Sequence, residues 1–141
     1  MQNRIRGEDI KTTSIHFKAY NNGNWEGELH NVYLKLGCAF KSLTQFLVSM
    51  ENLMDSMNAP QTYVETRYFN EKARKEPEYF PQMVEGENII ASFVVKINFR
   101  QHSSWQGVLI WMDGKRRANF RSVLELVKLI DSAMLEKEDI A

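Results

Sequence analysis

The chain has 141 residues, and its 18 lysines and arginines balance 18 aspartates and glutamates, so the formal net charge is zero. Hydrophobic residues make up 43% of the sequence and there is one cysteine, which excludes a disordered charged tail and a disulfide-stapled scaffold. No apolar run reaches the length of a membrane span and the first residues are polar, so we expect one domain over residues 1–141, in the cytoplasm, with no membrane partner.

A strand–turn–strand pattern comes first along the chain. Residues 15–20 alternate apolar and polar side chains, as in a strand with one face on a core. After a polar turn, a second strand is predicted from Trp25 to His30, and a third over residues 33–40. Gly27, in the middle of the second strand, predicts a bulge or the close approach of a large neighbour.

A helix is predicted to follow the third strand. Ser42 and Gln45 have the spacing of a capping box, in which the serine hydroxyl accepts from a free backbone N–H and the glutamine reaches back to the serine N–H. Apolar residues then recur at intervals of three and four, which places one apolar stripe on a helix of about four turns. The stripe is Leu43, Phe46, Leu47, Met50, Leu53, Met54 and Met57.

Residues 58–91 form an insertion between two similar halves. Residues 62–69 are rich in β-forming side chains and predict an extra strand. The insertion also contains six glutamates and three prolines. We expect this segment to be functional or mobile.

The strand pattern returns in the second half. Strands are predicted over residues 93–100, 105–112 and 115–120, with Asp113 and Gly114 forming a tight hairpin turn. A second capping box follows, and then a second apolar stripe of Val123, Leu126, Val127, Ile130, Ala133 and Met134. This helix also has leucines off its stripe, at 124, 129 and 135, which predict a second contact surface covered by the insertion or by a partner chain.

The two halves correspond at a constant offset. Over residues 15–54, seven residues are identical to those 80 positions later, without a gap. We therefore predict an α+β fold of two βββα units, residues 12–57 and 92–136, related by a pseudo-twofold axis. They should form one mainly antiparallel sheet with both helices on one face. The symmetry also predicts that a homodimer can form through analogous contacts.

No catalytic, cofactor-binding or metal-binding arrangement is predicted. His16, His30 and His102 lack the spacing of metal ligands, and no base accompanies Cys38 to activate it as a nucleophile. The glycine-rich phosphate-binding motifs and the nucleophile elbow are absent from the sequence. We therefore expect a protein that is not an enzyme and that uses no cofactor.

Positive charge is concentrated in the second unit, around the predicted hairpin and the start of the second helix. Such a cluster can hold phosphates or the acidic side chains of a partner, or it can be neutralised by solvent and by the glutamates of the insertion. With the extra leucines of the helix, it gives the candidate partner-binding residues. These are Lys115, Arg116, Arg117, Arg121, Leu124 and Leu129.

The function favoured by these features is binding of another macromolecule, most directly a protein, as an interaction module or as a regulatory or inhibitory module. A nucleic-acid-binding accessory protein is an alternative, with the basic residues on phosphates and Phe99, Trp105 and Trp111 as candidates for base stacking. Trp105 and Trp111 share the phase of the core-facing residues, which predicts that they are buried. A small-ligand binder or enzyme at the groove along the pseudo-twofold axis is the other alternative.

The sequence resembles a group of short, uncharacterised proteins of gut clostridial bacteria, with motifs of the form W-x-G and F-[KR]-S followed by a helix. The resemblance covers residues 15–135 and is strongest in the second half. It implies a bacterial, intracellular protein, and it transfers no catalytic or binding residues because the group has no established activity. The stretches that carry it are residues 40–43, 50–54, 59–61, 65–69, 92–101, 105–107 and 120–131.

Overall fold

The structure is a computed structural model. It describes residues 12–21, 23–31, 37–57, 88–101 and 104–140, with no side-chain description at 101 and 138–140. The strands are β1 (Thr12–Asn21), β2 (Asn24–His30), β3 (Cys38–Phe40), β4 (Ala91–Gln101), β5 (Ser104–Trp111) and β6 (Arg116–Phe120), and the helices are α1 (Leu43–Met57) and α2 (Val123–Ile140). The strand predicted over residues 62–69, the first part of the third predicted strand and His102 lie outside the described residues.

The described strands form a six-stranded antiparallel sheet in the order β3-β2-β1-β4-β5-β6. The central contact joins β1 to β4, with Ser14 opposite Val94. From this centre each half of the chain adds two further strands outward, so that the short strands β3 and β6 lie at the edges. The predicted α+β class is therefore confirmed.

One face of the sheet forms the core, and both helices cover it. In the first half the indole of Trp25 and the ring of Phe40 lie 5.1 and 5.3 Å from the ring of Phe46 on α1. Phe17 on β1 contacts Phe93 on β4 at a centroid distance of 5.7 Å, which joins the two halves. These side chains are buried, and each contributes about 1.5–3 kcal/mol of hydrophobic stabilisation.

The same backbone pairing occurs in both halves of the chain, at positions 80 residues apart. Phe17 pairs with Gly27, and Ile97 pairs with Gly107; each strand bulges directly after its paired residue. A Cβ on either glycine would collide with a backbone carbonyl oxygen of the neighbouring strand. The glycines therefore allow close backbone approach beside a bulge, as their position in mid-strand predicted.

Both helices begin at the predicted serines. The Ser42 Oγ accepts a hydrogen bond from the Gln45 backbone N–H at 3.0 Å, and the Ser122 Oγ accepts from that of Glu125 at 3.1 Å. The Gln45 side chain accepts from the backbone N–H of Lys41 at 2.6 Å, one residue before the predicted donor. Both predicted apolar stripes are confirmed, because their members are buried or pack against the core.

The hairpin between β5 and β6 differs from the predicted tight turn. Trp111 pairs with Arg116, so residues 112–115 form a four-residue loop. The positive backbone φ, 53°, falls on Lys115 rather than on Gly114. Gly114 is needed for space rather than for its backbone conformation, because a Cβ there would overlap the indole of Trp111.

The leucines off the stripe of α2 have two different environments. Leu129 packs against the core, whereas Leu124 is 62% exposed and Leu135 is 50% exposed. Intrachain cover therefore accounts for Leu129 alone. Neither α1 nor α2 is long and apolar enough to cross a membrane.

Candidate functional site

A pocket of about 210 Å³ lies between α2 and the strands β5 and β6. Its apolar lining comes from Phe93 and Leu109 on the sheet, from Ala118 on β6, and from Leu129 and Ala133 on α2. The other lining residues bring a tryptophan, two arginines, a serine and a glutamate. An apolar pocket with a few convergent polar groups is typical of a binding site.

The size of the side chain at one helix position helps to explain why the pocket lies in the second half. At the constant offset, Ala133 on α2 corresponds to Leu53 on α1. Leu53 is buried in the core of the first half, with 1% of its surface exposed. The shorter side chain of Ala133 leaves space between helix and sheet that a leucine would reduce.

Trp111 is the most informative residue of the pocket. It is 8% exposed, and its indole Nε1 is buried with no hydrogen-bond partner among the described residues. An unpaired buried donor costs about 1–3 kcal/mol. The corresponding residue of the first half, Asn31, carries no such penalty. Its side-chain amide donates to the Thr12 carbonyl at 3.1 Å and to the Thr13 Oγ1 at 3.0 Å.

One arginine and one glutamate bring charge to the pocket. The guanidinium of Arg116 lies 5.8 Å from the centroid of the Trp111 ring and donates to the Glu136 carboxylate at 2.9 Å. Arg117 also borders the pocket, but it pairs with Ile110, so its side chain lies on the face of the sheet opposite to Trp111 and Arg116. Among the described residues, the charges on the helix-facing side of the pocket are therefore Arg116 and Glu136, which pair with each other and sum to zero.

Two of the predicted partner-binding residues, Arg116 and Leu129, meet at this pocket, and Arg117 borders it with its side chain on the opposite face of the sheet. Lys115 is exposed in the adjoining hairpin loop. Sequence reasoning assigned Trp111 to the core and did not identify it as a possible ligand donor. The signal was available in the offset comparison, where this tryptophan stands at the place of Asn31.

The remaining predicted residues lie at the other end of β6. Arg121 follows the last residue of the strand, and its side chain is 86% exposed and 3.9 Å from the Glu125 carboxylate. Leu124 is exposed in the first turn of α2. About four residues of extended strand separate Arg121 from Arg117, or roughly 13 Å. The predicted set is therefore two groups rather than one patch.

A second polar cluster joins β1, β2 and β4. His16 Nδ1 and Ser92 Oγ share a hydrogen bond of 3.0 Å, and the His16 and His30 rings lie 5.5 Å apart. The buried Glu28 accepts from Lys18 Nζ at 2.9 Å, and its other oxygen is 3.2 Å from His30 Nε2. Within the described ranges, these and other side chains form no group of three or more that could hold a metal ion.

Burial lowers the pKa of both histidines below the ordinary value of 6.5. The negative charges of Glu28 and Asp113 oppose this shift at His16. At His30 the neighbouring His16 adds to the lowering of the pKa, and Glu28 again opposes it. Both rings are therefore neutral at pH 7, and protonation of one disfavours protonation of the other.

Comparison with known proteins gives no relative. No family model matches the chain, and no curated protein or solved structure matches it.

Proposed function

We propose that this chain is a small, non-enzymatic protein of the bacterial cytoplasm that acts by binding another protein, as an interaction module or as a regulatory or inhibitory module. The observation that carries the proposal is the buried Trp111 N–H, which has no acceptor among the described residues and belongs to a residue that lines a pocket. A group presented by a partner would supply the acceptor, and the apolar walls would bury its stem. The bacterial and cytoplasmic origin rests on the resemblance to the clostridial proteins.

The proposal includes a pseudo-twofold relation between the two βββα units. The central pairing supports it: Thr12 pairs with Lys96 and His16 with Ser92. Residues 80 positions apart correspond, so Lys96 matches His16 and Ser92 matches Thr12. A twofold axis would therefore exchange the Thr12–Lys96 pair with the His16–Ser92 pair. Under this relation the pocket marks a place where the second unit differs from the first, and a surface with its own function is expected there.

A nucleic-acid partner has less support. The arginines of β6 are exposed, but Trp105 and Trp111 are buried and have little ring surface for base stacking. Phe99, which is 68% exposed, is the remaining aromatic candidate. Retention on a nucleic-acid column that falls steeply with salt would favour this alternative.

A small ligand or substrate at the pseudo-twofold groove is the other alternative. Among the described residues, those that line the pocket all belong to the second half, away from the central pairing of Ser14 with Val94. The same pocket could still hold a free small molecule, and the experiments below separate this case from a protein partner.

Affinity capture with the full chain as bait tests the proposed function. Ala133→Leu fills the pocket with the side chain that Leu53 provides in α1, and Val48→Leu adds a comparable apolar group at an exposed position of α1 as a control. We expect a clostridial protein that wild type and Val48→Leu retain and that Ala133→Leu loses. Identical retention by all three forms, or no retained protein, would count against the proposal.

A further inference from the structure

We infer that the pocket between α2 and the strands β5 and β6 binds an uncharged, mainly apolar group that carries one hydrogen-bond acceptor, such as a carbonyl oxygen beside a ring or a branched chain. The inference rests on the proposed function, which makes this pocket a binding site, and it adds the chemistry of the group that enters. Three features carry it: a buried donor without an acceptor, paired charges that sum to zero, and apolar walls around about 210 Å³.

The free donor requires an acceptor in the ligand. Trp111 Nε1 can only donate, and no described residue accepts from it. Two other polar residues of the lining already have partners: the Ser132 hydroxyl donates to the Leu129 carbonyl at 2.9 Å, and Arg116 donates to Glu136 at 2.9 Å. An acceptor placed at Trp111 would remove the cost of an unpaired buried N–H, whereas a ligand without an acceptor would leave that cost in place.

The hairpin contacts the indole of Trp111 away from its nitrogen. A Cβ on Gly114 would lie closest to Cε3, which is across the ring system from Nε1. Nε1 itself is screened from solvent, and the Arg116 guanidinium lies 5.8 Å from the centroid of the ring. The Arg116 side chain is 65% exposed, so its displacement removes little packing. We therefore expect an entering group to reach the N–H by moving one exposed side chain aside.

The charges at the pocket select an uncharged group. Arg116 and Glu136 pair with each other at 2.9 Å, and their charges cancel. The side chain of Arg117 lies on the opposite face of the sheet, because this residue pairs with Ile110. An anion would have to compete with Glu136 for Arg116, and a cation would meet no free carboxylate among the described lining residues. Either ion would therefore lose hydration without gaining a partner of its own.

The volume and the lining of the pocket set the size of the group. The space of about 210 Å³ is larger than an engineered apolar cavity of about 150 Å³ that binds benzene. Phe93 and Leu109 line it from the sheet, and Leu129 and Ala133 line it from α2. A single ring with a short carbonyl substituent therefore fits the space, with its ring against the apolar walls and its oxygen at the indole N–H.

Matched small probes titrated into the full chain test this chemistry by NMR. Acetophenone has a ring and a neutral acceptor, ethylbenzene has the ring without the acceptor, and benzoate and benzylammonium carry a charge. Binding is read from the methyl resonance of Ala133 and from the indole N–H resonance of Trp111, which is assigned by its loss in Trp111→Phe. We expect acetophenone to bind with a dissociation constant of about 1 mM, and both ions at least about tenfold more weakly.

A cycle of two ligands and two proteins tests the hydrogen bond. Trp111→Phe should weaken binding of acetophenone about tenfold and change binding of ethylbenzene less than about twofold, because only the ketone loses a hydrogen bond. Arg117→Gln is the matched control, since its side chain lies on the opposite face of the sheet, and it should leave both affinities unchanged. Dispersed spectra establish that each variant is folded.

A further variant tests the charge balance. Glu136→Gln leaves Arg116 without its partner and should therefore tighten binding of benzoate at least about fivefold while acetophenone binds as before. A merely structural role of Glu136 would not change the two affinities differently.

The same probe identifies the molecule that carries the group. Acetophenone is added at a saturating concentration to the affinity capture described above. Release of the protein that wild type retains would place the group on that partner. Continued retention with acetophenone bound would assign the group to a free small molecule of the same chemistry.

The outcomes distinguish failure of this inference from failure of the proposed function. Equal weakening of acetophenone and ethylbenzene by Trp111→Phe, or benzoate that binds wild type as tightly as acetophenone, would overturn the uncharged acceptor while leaving a protein partner in place. The expected cycle without any retained protein would support the chemistry and count against the proposed function. If acetophenone at about 10 mM shifts neither resonance, the inference is wrong.

Discussion

The indole N–H of Trp105 donates to the carboxylate of Glu51, so a strand of the second half is tied to the helix of the first half. The other oxygen of Glu51 accepts from Arg100 Nη1 at 3.0 Å, and Asp55 accepts from the same nitrogen at 2.5 Å. In the reciprocal direction, Tyr20 in the first half donates to Asp131 on α2. Hydrogen bonds between the halves therefore add to the shared apolar core.

Removal of Glu51 should destabilise the whole domain. Glu51→Ala leaves the Trp105 N–H without its acceptor and takes one carboxylate from the buried Arg100, so we expect the free energy of unfolding to fall by about 2 kcal/mol. Asp55→Ala is the control: its side chain is 41% exposed, and the expected loss is under about 1 kcal/mol. Urea unfolding followed by circular dichroism measures both. Equal losses would mean that the bond to Trp105 contributes nothing.

Replacement of the two buried tryptophans of β5 should have unequal effects. Trp105→Phe deletes a paired N–H, whereas Trp111→Phe deletes one that has no partner among the described residues. We expect Trp105→Phe to lower the free energy of unfolding by about 1–2 kcal/mol more than Trp111→Phe, because only the first leaves an acceptor unsatisfied. The same urea titrations measure this difference. A larger loss for Trp111→Phe would show that its indole nitrogen has a partner in the folded protein.

The mid-strand glycines should be intolerant of alanine to a similar degree. Gly27→Ala and Gly107→Ala both place a methyl group against a backbone carbonyl oxygen, of His16 and of Lys96 respectively. We expect each to cost at least about 2 kcal/mol, since backbone cannot move away as a side chain can. Gly23→Ala is the control, with a positive φ of 75° but open space around its Cβ, and should cost about 1 kcal/mol. Melting temperatures give the ranking, and tolerance at either strand position would contradict the bulged register.

Stability should depend on pH through the histidine cluster. His16 and His30 have pKa values lowered below 6.5 by burial, so the unfolded chain binds more protons than the folded chain as pH falls through 6.5. The free energy of unfolding is therefore fully maintained above pH 6.5. It decreases as pH falls toward the lowered pKa values of the folded state.

The variant His16→Gln/His30→Gln isolates this effect from the titration of carboxylates. Glu28, Asp113 and Lys18 surround the rings and remain in both forms. We expect urea midpoints measured from pH 8 to pH 5.5 to decline more steeply for wild type than for the double variant. Parallel curves would mean that the histidines titrate alike in the folded and unfolded states.

The fold could be predicted from the sequence because its signals are local. The alternation around Phe17 and the stripe that contains Met50 follow from strand and helix periods, and Ser42 and Ser122 begin helices because their hydroxyls cap free N–H groups. The turn beside Gly114 was predicted too short, because the length of the loop is set by the pairing of Trp111 with Arg116 across two strands. Gly114 leaves room for the Trp111 indole, and the positive φ falls on Lys115.

The candidate site could be predicted only in part. Charge along the chain identified Arg116, but it also included Arg117, whose side chain lies on the opposite face of the sheet, and Arg121, which lies past the other end of β6. Periodicity assigned Trp111 to the core correctly, yet whether a buried donor finds an acceptor depends on side chains from other segments.

By itself, the sequence determined the order and type of the described elements, the helix caps and the residues that face the core, because these depend on spacing within single segments. Only the tertiary structure decided that Ala133, Leu129 and Trp111 enclose a pocket, that an indole N–H there lacks an acceptor among the described residues, and that Glu51 bridges to Trp105. Each of these depends on the distance between atoms of segments far apart in the chain, which is fixed when the strands pair and the helices pack.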